Sequence, residues 1–76
     1  MQQVAKQLAV QINKTLNDLG VPINSRERAQ ILSKMLDIPK QQAWSLLEGH
    51  VFPDEITLRK ISNELEIEVQ QGHDKK

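Results

Sequence analysis

Apolar residues fall at helical intervals along most of this chain. Val4, Leu8, Ile12 and Leu16, flanked by Ala5, Ala9 and Leu19, recur every three or four positions, which predicts a long amphipathic helix over residues 2–19. Gly20 and Pro22 end it, the first by allowing a left-handed exit and the second by being unable to continue a helix. Asn24 followed three residues later by Glu27 has the form of a capping box. A second helix is therefore expected from about Ser25 to Asp37, with Ala29, Leu32, Met35 and Leu36 inward and Ile31 beside them. Pro39 suits the first turn of a third helix, where its missing N–H would have no partner anyway. That helix is expected over 39–48, with Ala43, Leu46 and Leu47 inward and Gly49 as its stop. Beyond His50-Val51-Phe52-Pro53, Asp54 is a good cap for a fourth helix carrying Ile56, Leu58, Ile61 and Leu65 to about Glu66. Val51 and Phe52 are expected to close the core beneath it; the alternative is that they form an interface, an apolar patch with Trp44 that would suit a partner protein.

No alternating apolar–polar run of useful length appears, so strands are not expected. The pattern predicts an all-α fold, a compact four- to five-helix bundle, with Ile67-Glu68-Val69 as the short fifth turn. Residues 1–69 form the expected domain, and the polar stretch 70–76 reads as a tail or the start of a linker.

Composition narrows the class. At 76 residues the chain is one small domain that buries only about 60 % of its unfolded surface. It has no cysteine, which fits a reducing, cytoplasmic setting. His50 and His73 lie too far apart for a structural zinc site. No apolar run is long enough to span a bilayer, and the Met-Gln-Gln start does not resemble a signal peptide. Neither a membrane partner nor a cofactor is expected. Nothing has nucleophile–base spacing, paired carboxylates, a phosphate-cradling glycine loop or a metal cluster, so an enzyme is not expected.

Formal net charge is zero, which argues neither for nor against nucleic acid. Its distribution is slightly uneven: residues 1–50 hold six basic side chains against four acidic ones, and the remainder four against six. Ordinary solvated charge explains that as simply as an interface does.

The connection between helices two and three is the informative part. Only Asp37-Ile38-Pro39 separates them, which forces a large angle, as in a helix-turn-helix. With Ala43, Leu46 and Leu47 inward, Lys40, Gln41, Gln42, Trp44, Ser45 and Glu48 turn outward or sideways. A glutamine amide can pair bidentately with N6 and N7 of adenine, and a lysine can donate to guanine or neutralise a phosphate.

The stretch LSKMLDIPKQQAWSLLEG (residues 32–49), then three residues, Pro53, and TLRKISNELEI (57–67) resembles the Cro/repressor-type helix-turn-helix of phage and bacterial regulators. The Gly49-to-Pro53 spacing and the following Thr-Leu-x-x-Ile carry the likeness, which spans about half the chain. The long helix and loop before it look more like the BetR-type bacterial regulatory variant. The resemblance implies a lambda-repressor-like fold, double-stranded DNA as partner, and a transcriptional regulator acting as a homodimer. Such a chain is either a whole protein or the DNA-binding part of a longer one with a further regulatory domain. Carried over by position, Lys40, Gln41 and Gln42 fall where the family faces bases, Ser45 falls one turn later, and Arg26 to Gln30 fall where it grips phosphates. The expected DNA-binding set is therefore Arg26, Arg28, Gln30, Lys40, Gln41, Gln42, Trp44, Ser45 and His50. Asp37 replaces the family's turn glycine, a position usually left-handed, which aspartate tolerates better than most residues. Pro39 replaces the capping serine, Leu47 a glutamate, and Glu48 sits where some relatives meet phosphate.

Other readings stay open. The glutamines are also ordinary helix-surface residues, and Arg26 and Arg28 are equally plain surface charge. Trp44 either packs over helix two or the 20–23 loop, or contacts DNA sugar or a thymine methyl, or anchors a dimer. His50 is a loop residue within reach of phosphate. The competing function is a protein-interaction or oligomerisation module, an adaptor or antirepressor, on the same bundle.

Overall fold

The computed structural model describes residues 3–67. Among them are four helices and no strand: α1 (Gln3–Asp18), α2 (Ser25–Leu36), α3 (Lys40–Glu48) and α4 (Glu55–Leu65). The expected turn at 67–69 lies, apart from Ile67, outside the described residues, as does the 70–76 tail.

One core joins all four helices. Leu8, Ile12 and Leu16 of α1 meet Ala29, Leu32 and Leu36 of α2, Ala43, Leu46 and Leu47 of α3, and Leu58, Ile61 and Leu65 of α4, with Ile67 closing the end. Each large aliphatic side chain so buried contributes about 1.5–3 kcal/mol relative to exposure. The most extensive packing is between α2 and α3.

Local chemistry sets the boundaries. α1 ends as Gly20 turns left-handed (φ 81°) while the Val21 N–H reaches the Leu16 carbonyl at 2.9 Å. At the start of α2 the Asn24 side-chain oxygen accepts from the Arg26 and Glu27 N–H groups at 2.9 and 3.2 Å. Asp37 is left-handed (φ 56°, ψ 52°), as the turn position requires. The Ile38 N–H donates to the Ser33 carbonyl, and the Ser33 hydroxyl donates to that of Ile38, tying the three-residue turn to α2. α3 begins directly after Pro39, which caps it without a side-chain hydrogen bond, and ends on left-handed Gly49.

Asp54 caps α4, its Oδ1 accepting from the Thr57 N–H at 2.8 Å. That hydrogen bond, helped by the Thr57 hydroxyl, holds the Asp54 carboxyl below its ordinary value. A carboxyl depressed in the folded state stabilises fully above its unfolded pKa and loses that contribution as pH falls through the folded value. Thermal unfolding of the wild type should therefore drop more between neutral and acidic pH than that of Asp54→Asn, which keeps a cap but cannot titrate. Parallel melting curves across pH 7 to about 3 would disprove this linkage.

Four apolar assignments are corrected. Val4, expected on the apolar face of α1, is 50 % exposed at the start of that helix. Ile56 was expected inward but is 67 % exposed. It lies two residues from Leu58, and residues two apart cannot share a helix face; Thr57, Leu58, Ile61 and Leu65 form the buried stripe instead. Val51 and Phe52, expected to close the core, remain partly open while Pro53 is buried in their place. Leu19 is exposed because the chain has left α1 by then.

Candidate nucleic-acid interface

At 3.6 residues per turn, burial of Ala43, Leu46 and Leu47 fixes what α3 presents elsewhere. Lys40, Gln41, Trp44 and Glu48 are exposed, and Gln42 and Ser45 half-buried. Gln41 stands at the crest, because it borders two different hollows. One is lined by Ser25, Arg26, Ala29, Lys40 and Trp44 together with Gln41. The other is lined by Pro39, Gln42, Ser45 and Val51 together with Gln41. No carboxylate lines either. Among the described residues Arg26 and Lys40 form no ion pair; Arg59 and Glu55 make an exposed one at 3.7 Å on α4.

The two slopes differ in chemistry. The first sets two cations and an indole beside the opening turn of α2. The second joins two amides and a hydroxyl to the carbon surfaces of a proline and a valine. A larger hollow, about 630 Å³, lies apart from both, between α1 and the exit of α4; it mixes Lys14 with Asp18 and Glu66.

Trp44 lines the first hollow together with Ser25, Arg26 and Ala29 of α2, and is not closed off from solvent there. It is 42 % exposed, with its ring centroid 5.2 Å from that of His50 at a tilt of 38°. This offset arrangement suits an aromatic pair and holds exposed His50 beside the first slope. Gln30 is exposed on α2 but lines neither hollow.

Arg28 is a correction to the expected set. It is 4 % exposed and turns into the molecule. Its Nε donates to the Pro22 carbonyl at 2.9 Å. Nη1 donates to Asn13 Oδ1 at 3.0 Å and to the Asn13 carbonyl at 3.3 Å. Nη2 donates to Asn17 Oδ1 at 2.8 Å and to the Val21 carbonyl at 2.9 Å. These five bonds use every N–H a guanidinium has, so none is left for phosphate. The charge rests near the C-terminal end of α1, where the helix dipole favours a cation. Asn13 extends the network, its Nδ2 donating to the Ala9 carbonyl at 2.8 Å and to the Leu47 carbonyl at 3.1 Å.

Sequence reasoning missed Asn13 and Asn17, and placed Val51 in the core rather than beside Gln42 and Ser45. Asparagine is disfavoured inside helices, so two of them four residues apart near the end of α1 are a usable sign of a polar contact. Val51 carries no such sign. Among the described residues no group of three or more His, Cys, Asp or Glu side chains is placed to hold a metal ion, and no helix is long and apolar enough to cross a membrane. Comparison of the chain with protein-family models, characterised proteins and solved structures finds no match.

Proposed function

We propose that this chain binds double-stranded DNA sequence-specifically as a helix-turn-helix domain of the Cro/repressor type in a transcriptional regulator, with α3 entering the major groove. The observation that carries the reading is the outer edge of α3. Lys40 and Gln41 project from its first turn beside Arg26, on a surface with no carboxylate in either adjoining hollow. The first turn of a recognition helix is the part that meets base edges, while the preceding helix meets the backbone. Arg26 and Lys40 then neutralise phosphates, Trp44 covers sugar, and Gln41 and Gln42 face bases. Two copies would read half-sites about one helical turn, roughly 34 Å, apart.

A second reading, a protein-interaction module on the same bundle, is favoured by a different observation. Val51, Phe52 and Ile56 expose apolar side chains within six residues of one another.

Titration with random-sequence duplex at low and moderate salt, read by amide chemical shifts, separates the two. Shifts at residues 26–30 and 40–45 are the expected result. Exchanging both Arg26 and Lys40 for alanine should reduce the slope of log K against log salt by about 2, one per lost phosphate contact. Shifts absent at both salts would overturn the DNA reading and leave the interaction module.

A further inference from the structure

The amide-and-carbon slope of α3 has a more specific meaning, which rests on the DNA-binding reading. We propose that Val51, with Pro39 behind it, seats the C5-methyl group of a thymine whose partner adenine pairs with the amide of Gln41 or Gln42. The preferred duplex would then carry an A·T pair under this slope.

Three observations support this. First, the hollow is lined by Pro39, Val51, Gln41, Gln42 and Ser45, so carbon surface stands beside two amides and a hydroxyl, and no ionised side chain lines it. Of the four base-pair orientations, only those containing thymine offer a methyl group in the major groove, and the accompanying adenine offers the N6–H and N7 pair that an amide matches. A G·C pair offers no methyl group to cover Val51 and Pro39, and places the polar cytosine C4-amino edge on that side of the groove instead.

Second, Val51 is held in this position from both sides. The Gly49 N–H reaches the Leu46 carbonyl at 3.3 Å and the His50 N–H reaches the Ser45 carbonyl at 3.0 Å. These bonds close α3 and fold the chain back along it, and buried Pro53 anchors the far side. Val51 therefore stands beside Gln42 and Ser45 although it lies outside the helix. Third, Val51 is 43 % exposed, so part of an apolar side chain at the margin of the reading surface is open to be covered.

The test begins by selecting duplexes that bind the full chain from a pool with a randomised centre. In the selected duplex, each thymine is then replaced singly by deoxyuridine, which removes the methyl group and nothing else. At one position the wild type should lose about fourfold in affinity, the value of one buried methyl-sized group. Val51→Ala should bind the thymine duplex about fourfold more weakly and show no further loss on the uracil duplex. Val51 is exposed, so the variant is expected to fold, and its circular dichroism and melting curve verify that. The proposal is overturned if the selected duplex has no A·T pair under α3, if no uracil substitution matters, or if the uracil penalty is the same in Val51→Ala. Failure to select any duplex at low salt would overturn the DNA-binding reading itself, and this proposal with it.

Discussion

Replacing Arg28 with methionine should destabilise the domain by about 3 kcal/mol, out of a total of roughly 4–11 kcal/mol for a chain of this size. Methionine retains the apolar stem and removes all five donors. It strands the carbonyls of Val21 and Pro22 and the side-chain oxygens of Asn13 and Asn17. A stranded buried acceptor costs about 1–3 kcal/mol, but Pro22 and Asn17 are exposed enough to recruit water, which limits the total. The melting temperature should fall by about 12–24 °C. Arg28→Lys should recover less than half of the loss, because an ammonium presents its donors from one point and cannot span the turn and two positions on α1. Urea unfolding followed by circular dichroism measures both. A stability within 0.5 kcal/mol of wild type, coupled with weakened duplex binding, would return Arg28 to the phosphate-contact role expected from sequence.

Gly49→Ala should cost about 2–3 kcal/mol, for two separable reasons. The left-handed backbone at φ 75° penalises any residue with a Cβ. In addition, a Cβ built at Gly49 would lie 3.2 Å from Lys6 Cα and 3.5 Å from Ala9 Cβ on α1. The first of these is backbone and cannot swing aside. Gly20 supplies the control, since it is also left-handed (φ 81°) but has nothing within 4 Å of its built Cβ. Gly20→Ala should therefore show only the conformational cost, about 1 kcal/mol. Equal losses in the two variants, measured by the same denaturation, would mean that the close approach of α3 to α1 carries no energetic weight.

The helices were legible because their apolar spacing and their end residues agree. Asn24, Asp54, Gly20 and Gly49 each do at a helix boundary what their chemistry suggests, and Asp37 adopts the left-handed turn expected of it. The errors arose where a local rule met a tertiary choice. Ile56 is apolar and close to the stripe of α4, but one helix has a single inward direction, and Leu58 and Ile61 define it. Arg28 has the residue type and helical position of a phosphate contact. What turns it inward is the nearness of the α1 end and of the Val21–Pro22 carbonyls, a proximity that exists only after α1 and α2 have packed. The alternatives for Trp44 stayed open, and Val51 was assigned to the core, for the same reason: the surfaces beside them come from separate segments. Spacing along the chain identified the outer edge of α3, but its two unlike slopes required the fold.

The joint between α1 and α2 should also resist acidification. Many buried cations are held by carboxylates, and such pairs fail when the acid takes up a proton. The five oxygens around Arg28 are amide and carbonyl oxygens, which do not protonate in the range where carboxylates do. As acid loosens the cap of α4, Arg28 has no proton-sensitive partner to lose.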